Sequence, residues 1–269
     1  MNKTIDPESA ITSVSKFLDD KLQNSGLSGY VIGLSGGIDS ALSATLAVKA
    51  VGAAKVYGVL MPYKTSSAES RKDAAEVAEW LGIQHRVVDI SPMIDAYYPE
   101  ITNNMRVRAG NKMARERMSI LFDVAHEMKR MVLGTGNRTE IALGYTTWYG
   151  DAACSLNPVG ELYKTEVRLL AKHLGLPQSV QHKKPSADLW VGQTDEGEIG
   201  VTYDEIDRLL ERILDDSERS EAALAKEGFA RKDIERVISL INGNAFKRNT
   251  PDIASLGKKP VPDSIQLNA

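Results

Sequence analysis

The sequence predicts an α/β fold: a doubly wound parallel sheet flanked by helices, followed by a mainly helical C-terminal part. Three observations carry that expectation. Short apolar runs alternate with stretches of helical periodicity through the first half of the chain. The first apolar run ends in a glycine-rich turn that opens a helix, as at the ligand crevice of an open parallel sheet. Beyond Tyr163 the alternation gives way to helical patterns alone.

Taken in order, Asp6-Pro7 is an N-cap followed by proline in the first turn. Ile11, Val14, Leu18 and Leu22 then recur at helical spacing and predict a helix over 7–23. The run 29–34 suits a buried strand, and an alanine-rich helix follows over 40–51. A strand is expected over 55–61, a helix over 66–81 closed by Gly82, and a strand over 84–90. A long charged helix spans 106–128, a strand 130–134, and a short helix starts near Asn137. Helices follow over 163–174, from the Thr202 to Glu205 capping pattern, and over 231–242. The stretch 183–200 has no periodicity and is long for a loop, so it is expected to be a lid over a site or a disordered segment. The tail over 250–269 carries three prolines and is expected to lie extended on the surface of a single domain spanning 1–269.

Composition narrows the class. The chain has 269 residues, 42% hydrophobic, with 33 Lys+Arg against 36 Asp+Glu and a net charge of −3. That balance argues against a nucleic-acid partner bound by bulk charge. A single cysteine, Cys154, excludes an internal disulfide or a mechanism needing two thiols. The four histidines fall in no metal-ligand spacing. No apolar run approaches the ~18–20 residues of a membrane span, and the N-terminus lacks the apolar core of a secretion signal. A cytoplasmic protein with no membrane partner is the expectation.

The chemistry concentrates in Gly33-Leu34-Ser35-Gly36-Gly37-Ile38-Asp39-Ser40. Two adjacent glycines allow a sharp turn with inward N–H groups, Ser35 and Ser40 add hydroxyls, and the helix start adds partial positive charge. Such a turn cradles phosphate. Asp39 would repel a bare phosphate but suits Mg²⁺, which takes carboxylate and phosphate oxygens together. No Gly-Lys-Ser/Thr follows, so it is not the P-loop of that name.

The Ser-Gly-Gly-x-Asp-Ser string resembles the PP-loop of the N-type ATP pyrophosphatases, which split ATP between the α and β phosphates. More of the chain resembles the ammonia-dependent NAD synthetases of that superfamily. The segments are Leu34 to Ser40, Gly110 to Met118, Leu133 to Glu140, Tyr149 to Asp151, Tyr163 to Thr165 and Lys184 to Leu189. The resemblance implies a homodimer with ATP, deamido-NAD and ammonia as substrates and Mg²⁺ as cofactor. It implies that Asp39 and Glu140 bind the metal, and that Gly33 to Ser40, Thr135, Lys164 and Ser186 bind ATP. Arg115 would bind deamido-NAD, and Asp151, Lys164 and Ser35 would act in catalysis, Asp151 beside the ammonia. Read without the resemblance, Glu140 and Lys164 are equally surface residues near helix starts. Arg115 is one of four arginines, with Arg106, Arg108 and Arg117, on a charged helix expected mostly to face water.

Three positions on the dinucleotide side depart from the family. Trp148 stands where many relatives have lysine, Ser155 where many have aspartate, and Phe246 precedes Lys247 where a His-Lys pair is common. Trp148 either stacks on a planar ring or packs in a core or dimer interface. Glutamine-dependent relatives carry an additional amidohydrolase domain, and with the PP-loop starting at Ser35 free ammonia is the expected donor. The competing expectations are another PP-loop enzyme, such as a GMP-synthetase-like amidotransferase or a tRNA-modifying thiolase, and a nucleotide sensor without turnover.

Overall fold

The computed structural model describes residues 5–190 and 192–257. Helix α1 (Pro7–Ser25) starts at Asp6, whose carboxylate accepts from the Ser9 N–H, and leads into β1 (Tyr30–Gly33). The order continues α2 (Ile38–Val51), β2 (Val56–Leu60), α3 (Ala68–Trp80), β3 (Gln84–Val87), α4 (Ser91–Tyr97), α5 (Arg106–Met128), β4 (Met131–Leu133) and α6 (Arg138–Leu143). Then come α7 (Lys164–His173), α8 (Gln178–Gln181), α9 (Asp195–Ile199), α10 (Tyr203–Leu210), α11 (Glu221–Lys226) and α12 (Arg231–Gly243).

The four strands are parallel in the order β3-β2-β1-β4. The order of strand addition therefore reverses between β1 and β4, and a crevice opens at their C-terminal ends. Beyond β4 the chain at Ser155 and Leu156 continues the pairing. The Ser155 N–H donates to the Val132 carbonyl and the Gly134 N–H to the Leu156 carbonyl, which covers the edge.

Strand β1 shows why the sheet is buried on both faces. Tyr30 and Ile32 enter a core with α1, α2, α3 and α7, while Val31 enters a second core with α4 and α5. Alternate side chains of a strand point to opposite faces, so an apolar run with no polar residue needs a layer on each side. A third core joins α6, α10, α11 and α12 into the helical annex.

The differences from the sequence expectations have local causes. The run 84–90 stops pairing as a strand at Val87 because Asp89 turns the chain, its carboxylate accepting from the Ser91 N–H, and Pro92 starts α4. Thr202 caps α10 by accepting from the Glu205 N–H, but Glu205 pairs with Arg208 instead of closing the capping box. The stretch 183–200 carries α9 and is tied across itself, the Asp195 N–H donating to the Pro185 carbonyl. The tail beyond Gly257 lies outside the described residues.

Candidate active site

A cleft of about 810 Å³ opens at the C-terminal edge of the sheet. Its floor is the turn after β1. The Ser35 and Ser40 hydroxyls lie 3.0 Å apart, the Gly37 N–H donates to Ser35 Oγ at 3.2 Å, and Ser40 Oγ donates to the Gly37 carbonyl at 3.0 Å. Gly37 is the N-cap of α2 and offers no side-chain acceptor to the first turn, so that helix start is open to an anion. Gly33, Leu34, Ser35, Gly37, Ile38, Asp39 and Ser40 all line the cleft. Gly36 faces the other way, with φ +76°, and a Cβ there would stand 2.3 Å from the Ser70 carbonyl oxygen. Only glycine fits a left-handed residue pressed that closely on α3.

Beside the turn, four residues from three segments meet. Lys164 opens α7, is 2% exposed, and its Nζ donates to Asp39 Oδ2 at 2.5 Å, with Glu140 Oε1 at 3.6 Å. A lysine in the first turn of a helix opposes the helix dipole, so the two carboxylates hold it there. Asn137 Nδ2 donates to Asp39 Oδ1 at 2.9 Å, while its Oδ1 accepts the Glu140 N–H and its own N–H donates to Glu140 Oε2. The capping box of α6 thus aims Glu140 at Asp39. Burial and the Asp39 charge push the Glu140 carboxyl up to about 8. Lys164 is moved upward by Asp39 and Glu140, against its burial.

Asp39 and Glu140 fit a divalent cation. They converge on one point from separate segments, and the Lys164 ammonium already stands there as a cation between them. No group of three or more His, Cys, Asp or Glu side chains able to hold a metal occurs among the described residues. Two carboxylates with room for phosphate oxygens and water suit Mg²⁺.

The roof is the 183–200 stretch. Lys183 Nζ donates to the Gly36 carbonyl at 3.2 Å, Ser70 Oγ at 2.9 Å and Asp73 Oδ2 at 2.8 Å. The Ser67 N–H donates to Asp188, which clips the same stretch to the start of α3. Ser186 lines the cleft with Thr135, but its hydroxyl is used inside the roof, donating to the Gln193 carbonyl and accepting the Asp188 N–H.

Toward β4 the cleft is lined by Asp151 and Lys247. Asp151 opens onto the cavity, accepts from the Thr147 N–H at 2.7 Å and Thr146 Oγ1 at 2.8 Å, and the protein around the cleft raises its carboxyl despite those donors. Lys247 Nζ donates to the Gly144 and Thr146 carbonyls, and burial lowers its pKa. Arg115, Trp148, Ser155 and Phe246 do not line the cleft. Ser155 Oγ accepts from the Val132 N–H at the sheet edge, and Arg115 Nε donates to the Trp148 carbonyl at 3.1 Å. Trp148 packs edge-on to Phe246 with centroids 5.3 Å apart and tilted over Tyr149 at 4.4 Å.

Asn137, Lys183 and Arg117 belong to the cleft or its supports, a role the sequence motifs did not assign them. Asn137 was legible as an N-cap three residues before a glutamate, and Lys183 only as the first residue of an unpatterned stretch. Arg117 had a clear signal: it lies four residues from both Met113 and Leu121, on the apolar face of α5.

A family model described as NAD synthase matches residues 10–251. The NH(3)-dependent NAD(+) synthetase of Trichlorobacter lovleyi is 48% identical over 246 residues, 91% of this chain and 89% of that protein. Among solved structures, the NMN synthetase from Francisella tularensis superposes with a TM-score of 0.83 at 35% identity, covering 94% of this chain and 100% of that one. The NH3-dependent NAD synthetase from Campylobacter jejuni gives 0.79 at 33% identity, covering 93% and 100%.

Proposed function

The chain belongs to the NAD synthase family, and on that premise we propose that it is an ammonia-dependent ligase that uses ATP to amidate the nicotinate carboxylate of deamido-NAD. The observation that carries this reading is the buried Lys164 held between Asp39 and Glu140 beside the phosphate-binding turn. The ATP triphosphate lies on the turn after β1, against the open start of α2 and the Ser35 and Ser40 hydroxyls. A carboxylate oxygen of the substrate attacks the α-phosphorus and pyrophosphate leaves. Lys164 and the turn's N–H groups meet the charge that develops on the phosphates; such preorganised donors are a large catalytic term. Asp39 and Glu140 would hold Mg²⁺, which would supply further neutralisation of phosphate charge. Ammonia then attacks the acyl-adenylate carbonyl and AMP departs. Asp151, with a raised carboxyl, binds ammonium and takes its proton. The 183–200 roof keeps water from the acyl-adenylate. The working form is a homodimer, in which the exposed Arg115 faces the partner's site.

A specific observation favours a second reading of the substrate. Where the resemblance puts lysine and histidine, this chain has Trp148 packed on Phe246, and where it puts aspartate, Ser155 is bonded into the sheet edge. The cations that the resemblance would offer a dinucleotide's second phosphate are replaced here by aromatic rings that pack on each other outside the cleft lining. The Francisella neighbour is named an NMN synthetase, and nicotinate mononucleotide carries the same carboxylate without the second nucleotide. Among the described residues no helix is long and apolar enough to cross a membrane.

One experiment tests both readings. Deamido-NAD and nicotinate mononucleotide are each incubated with ATP and Mg²⁺, with ammonium in one series and glutamine in the other. Amidation with ammonium alone is expected, and the larger kcat/KM names the substrate. No amide from either, with ATP still cleaved when other carboxylates are offered, would sink the assignment and keep the PP-loop chemistry.

A further inference from the structure

Arg115 and Arg117 sit two positions apart on α5, a rotation of about 200° on a helix. They leave the helix on opposite sides. Arg115 is exposed and outside the lining. Arg117 falls on the cleft side with Asn111, Ala114, Met118 and Leu121. Its Nε donates to the Met61 carbonyl at 2.9 Å, beyond the C-terminal end of β2. That bond fixes the guanidinium and leaves both Nη groups without a partner among the described residues.

The other cations of the cleft are differently placed. Lys164 is paired with Asp39 and Glu140, Lys183 with Asp73, and Lys247 with two carbonyls. Arg71 donates to the Tyr63 and Lys64 carbonyls, and Lys184 is exposed to solvent. Of these cations, Arg117 is a partly buried guanidinium with two unpartnered Nη groups and no ion pair among the described residues. Asp151 and Asp188 are near enough to favour its charge, yet burial outweighs them and lowers its pKa to about 10. The guanidinium is partly buried and makes no ion pair among the described residues, so an arriving anion would meet two donors already in place.

We propose that Arg117 is the residue by which the cleft grips a substrate oxyanion, a carboxylate or phosphate, through its two free Nη groups. The planar fork matches two oxygens of one such group, which a lysine cannot do. This rests on the ligase reading, in which two anionic substrates enter the cleft, ATP and the pyridine nucleotide. Either supplies the oxyanion.

The test is binding without turnover. ATP with Mg²⁺, and separately deamido-NAD or nicotinate mononucleotide, are titrated by calorimetry into the full chain and into Arg117→Met, Arg117→Gln and Arg117→Lys. The expected result is a rise in Kd of about 10- to 100-fold for the ligand that carries the oxyanion, with Tm shifted by less than ~2 °C. Gln keeps a donor for the Met61 carbonyl and still loses affinity; Lys recovers only part of it. A rise for ATP alone assigns the phosphate, and a rise for the pyridine nucleotide alone assigns its carboxylate or phosphate. Unchanged Kd for both ligands overturns the proposal. So does a fall in Tm accompanied by equal weakening toward both, because Arg117 is then a prop between α5 and β2. A wild-type chain that binds ATP but amidates no pyridine nucleotide would fail the ligase reading and leave the ATP arm of this test intact.

Discussion

At the end of the cleft formed by the turn after β1, polar groups hold one another: Lys164 with Asp39 and Glu140, Asn137 with Asp39 through its side-chain amide and with Glu140 through its backbone N–H, and Lys183 with Asp73. Around Trp148 the arrangement is the reverse. Phe246 and Tyr149 are each about half exposed, at 51% and 52%, Arg115 is exposed, and the contacts are ring on ring. The first region is set before any ligand arrives, because low-dielectric surroundings make unpaired charge costly and enforce pairing. The second has groups that a ligand or a second protomer can still engage. On the proposed ligase reading, ATP chemistry, which needs charge aimed at a fixed point, would fall to the preset end. On the same reading, selection of the pyridine nucleotide would fall to the open end.

The sharpest way to break that contrast is at Lys164. Lys164→Met is expected to lower kcat by about 10³-fold, the scale of removing a preorganised donor, and pyrophosphate release checks it. A loss under tenfold would mean that the preset end does not carry the chemistry.

A smaller effect is expected at Lys183, whose side chain is 20% exposed while that of its partner Asp73 is 4% exposed. Lys183→Met strands Asp73 and should destabilise the fold by about 3 kcal/mol, read by urea unfolding. The double variant with Asp73→Asn should recover most of that. Failure to recover would mean that the Gly36 and Ser70 bonds, not the ion pair, hold the roof.

The pH dependence sharpens the contrast further. Burial and the Asp39 charge raise the Glu140 carboxyl to about 8, above its unfolded value, so the folded state binds the proton more tightly. Its contribution to stability is present at low pH and is lost as pH rises toward 8. Mg²⁺ competes with that proton, so the Mg²⁺ concentration giving half-maximal activity should fall as pH rises from 6.5 to 8.5. Glu140→Gln should flatten that dependence. A steep dependence surviving the substitution would move the proton elsewhere.

The smallest effects are expected at the open end. Phe246→Ala should raise KM for the pyridine nucleotide by about 2- to 10-fold, the worth of one aromatic pair, and leave KM for ATP unchanged. Trp148→Lys combined with Phe246→His should shift the kcat/KM ratio toward deamido-NAD over nicotinate mononucleotide. If instead KM for ATP moves with either change, the two ends are coupled and the contrast fails.

Much of this was legible in the sequence, and for identifiable reasons. The parallel sheet followed from alternating apolar runs, and the strand expected over 84–90 ends early at Val87 because the Asp89 turn, which leads into α4, falls inside that range. Helices α4, α8, α9 and α11 escaped because each has seven residues or fewer, too short for a period to register. Of the residues expected to bind ATP, the turn from Gly33 to Ser40, Thr135, Lys164 and Ser186 all line the cleft except Gly36, which turns its back to it to meet Ser70. Of those expected on the dinucleotide side, only Lys247 lines it.

By itself, the sequence determined what is local: the glycine turn opening α2, the capping box at Asn137 and Glu140, and the apolar periods that define sheet and helices. These depend on a few neighbouring residues and their backbone preferences. Only the tertiary structure decided which distant groups share a point. Asn137 reaches Asp39 across 98 residues and Lys164 reaches it across 125. Only the packing of α5 against the sheet turned Arg117 inward and Arg115 outward. Local chemistry repeats at many places along a chain, whereas a burial that demands a counter-charge exists only once the elements have packed.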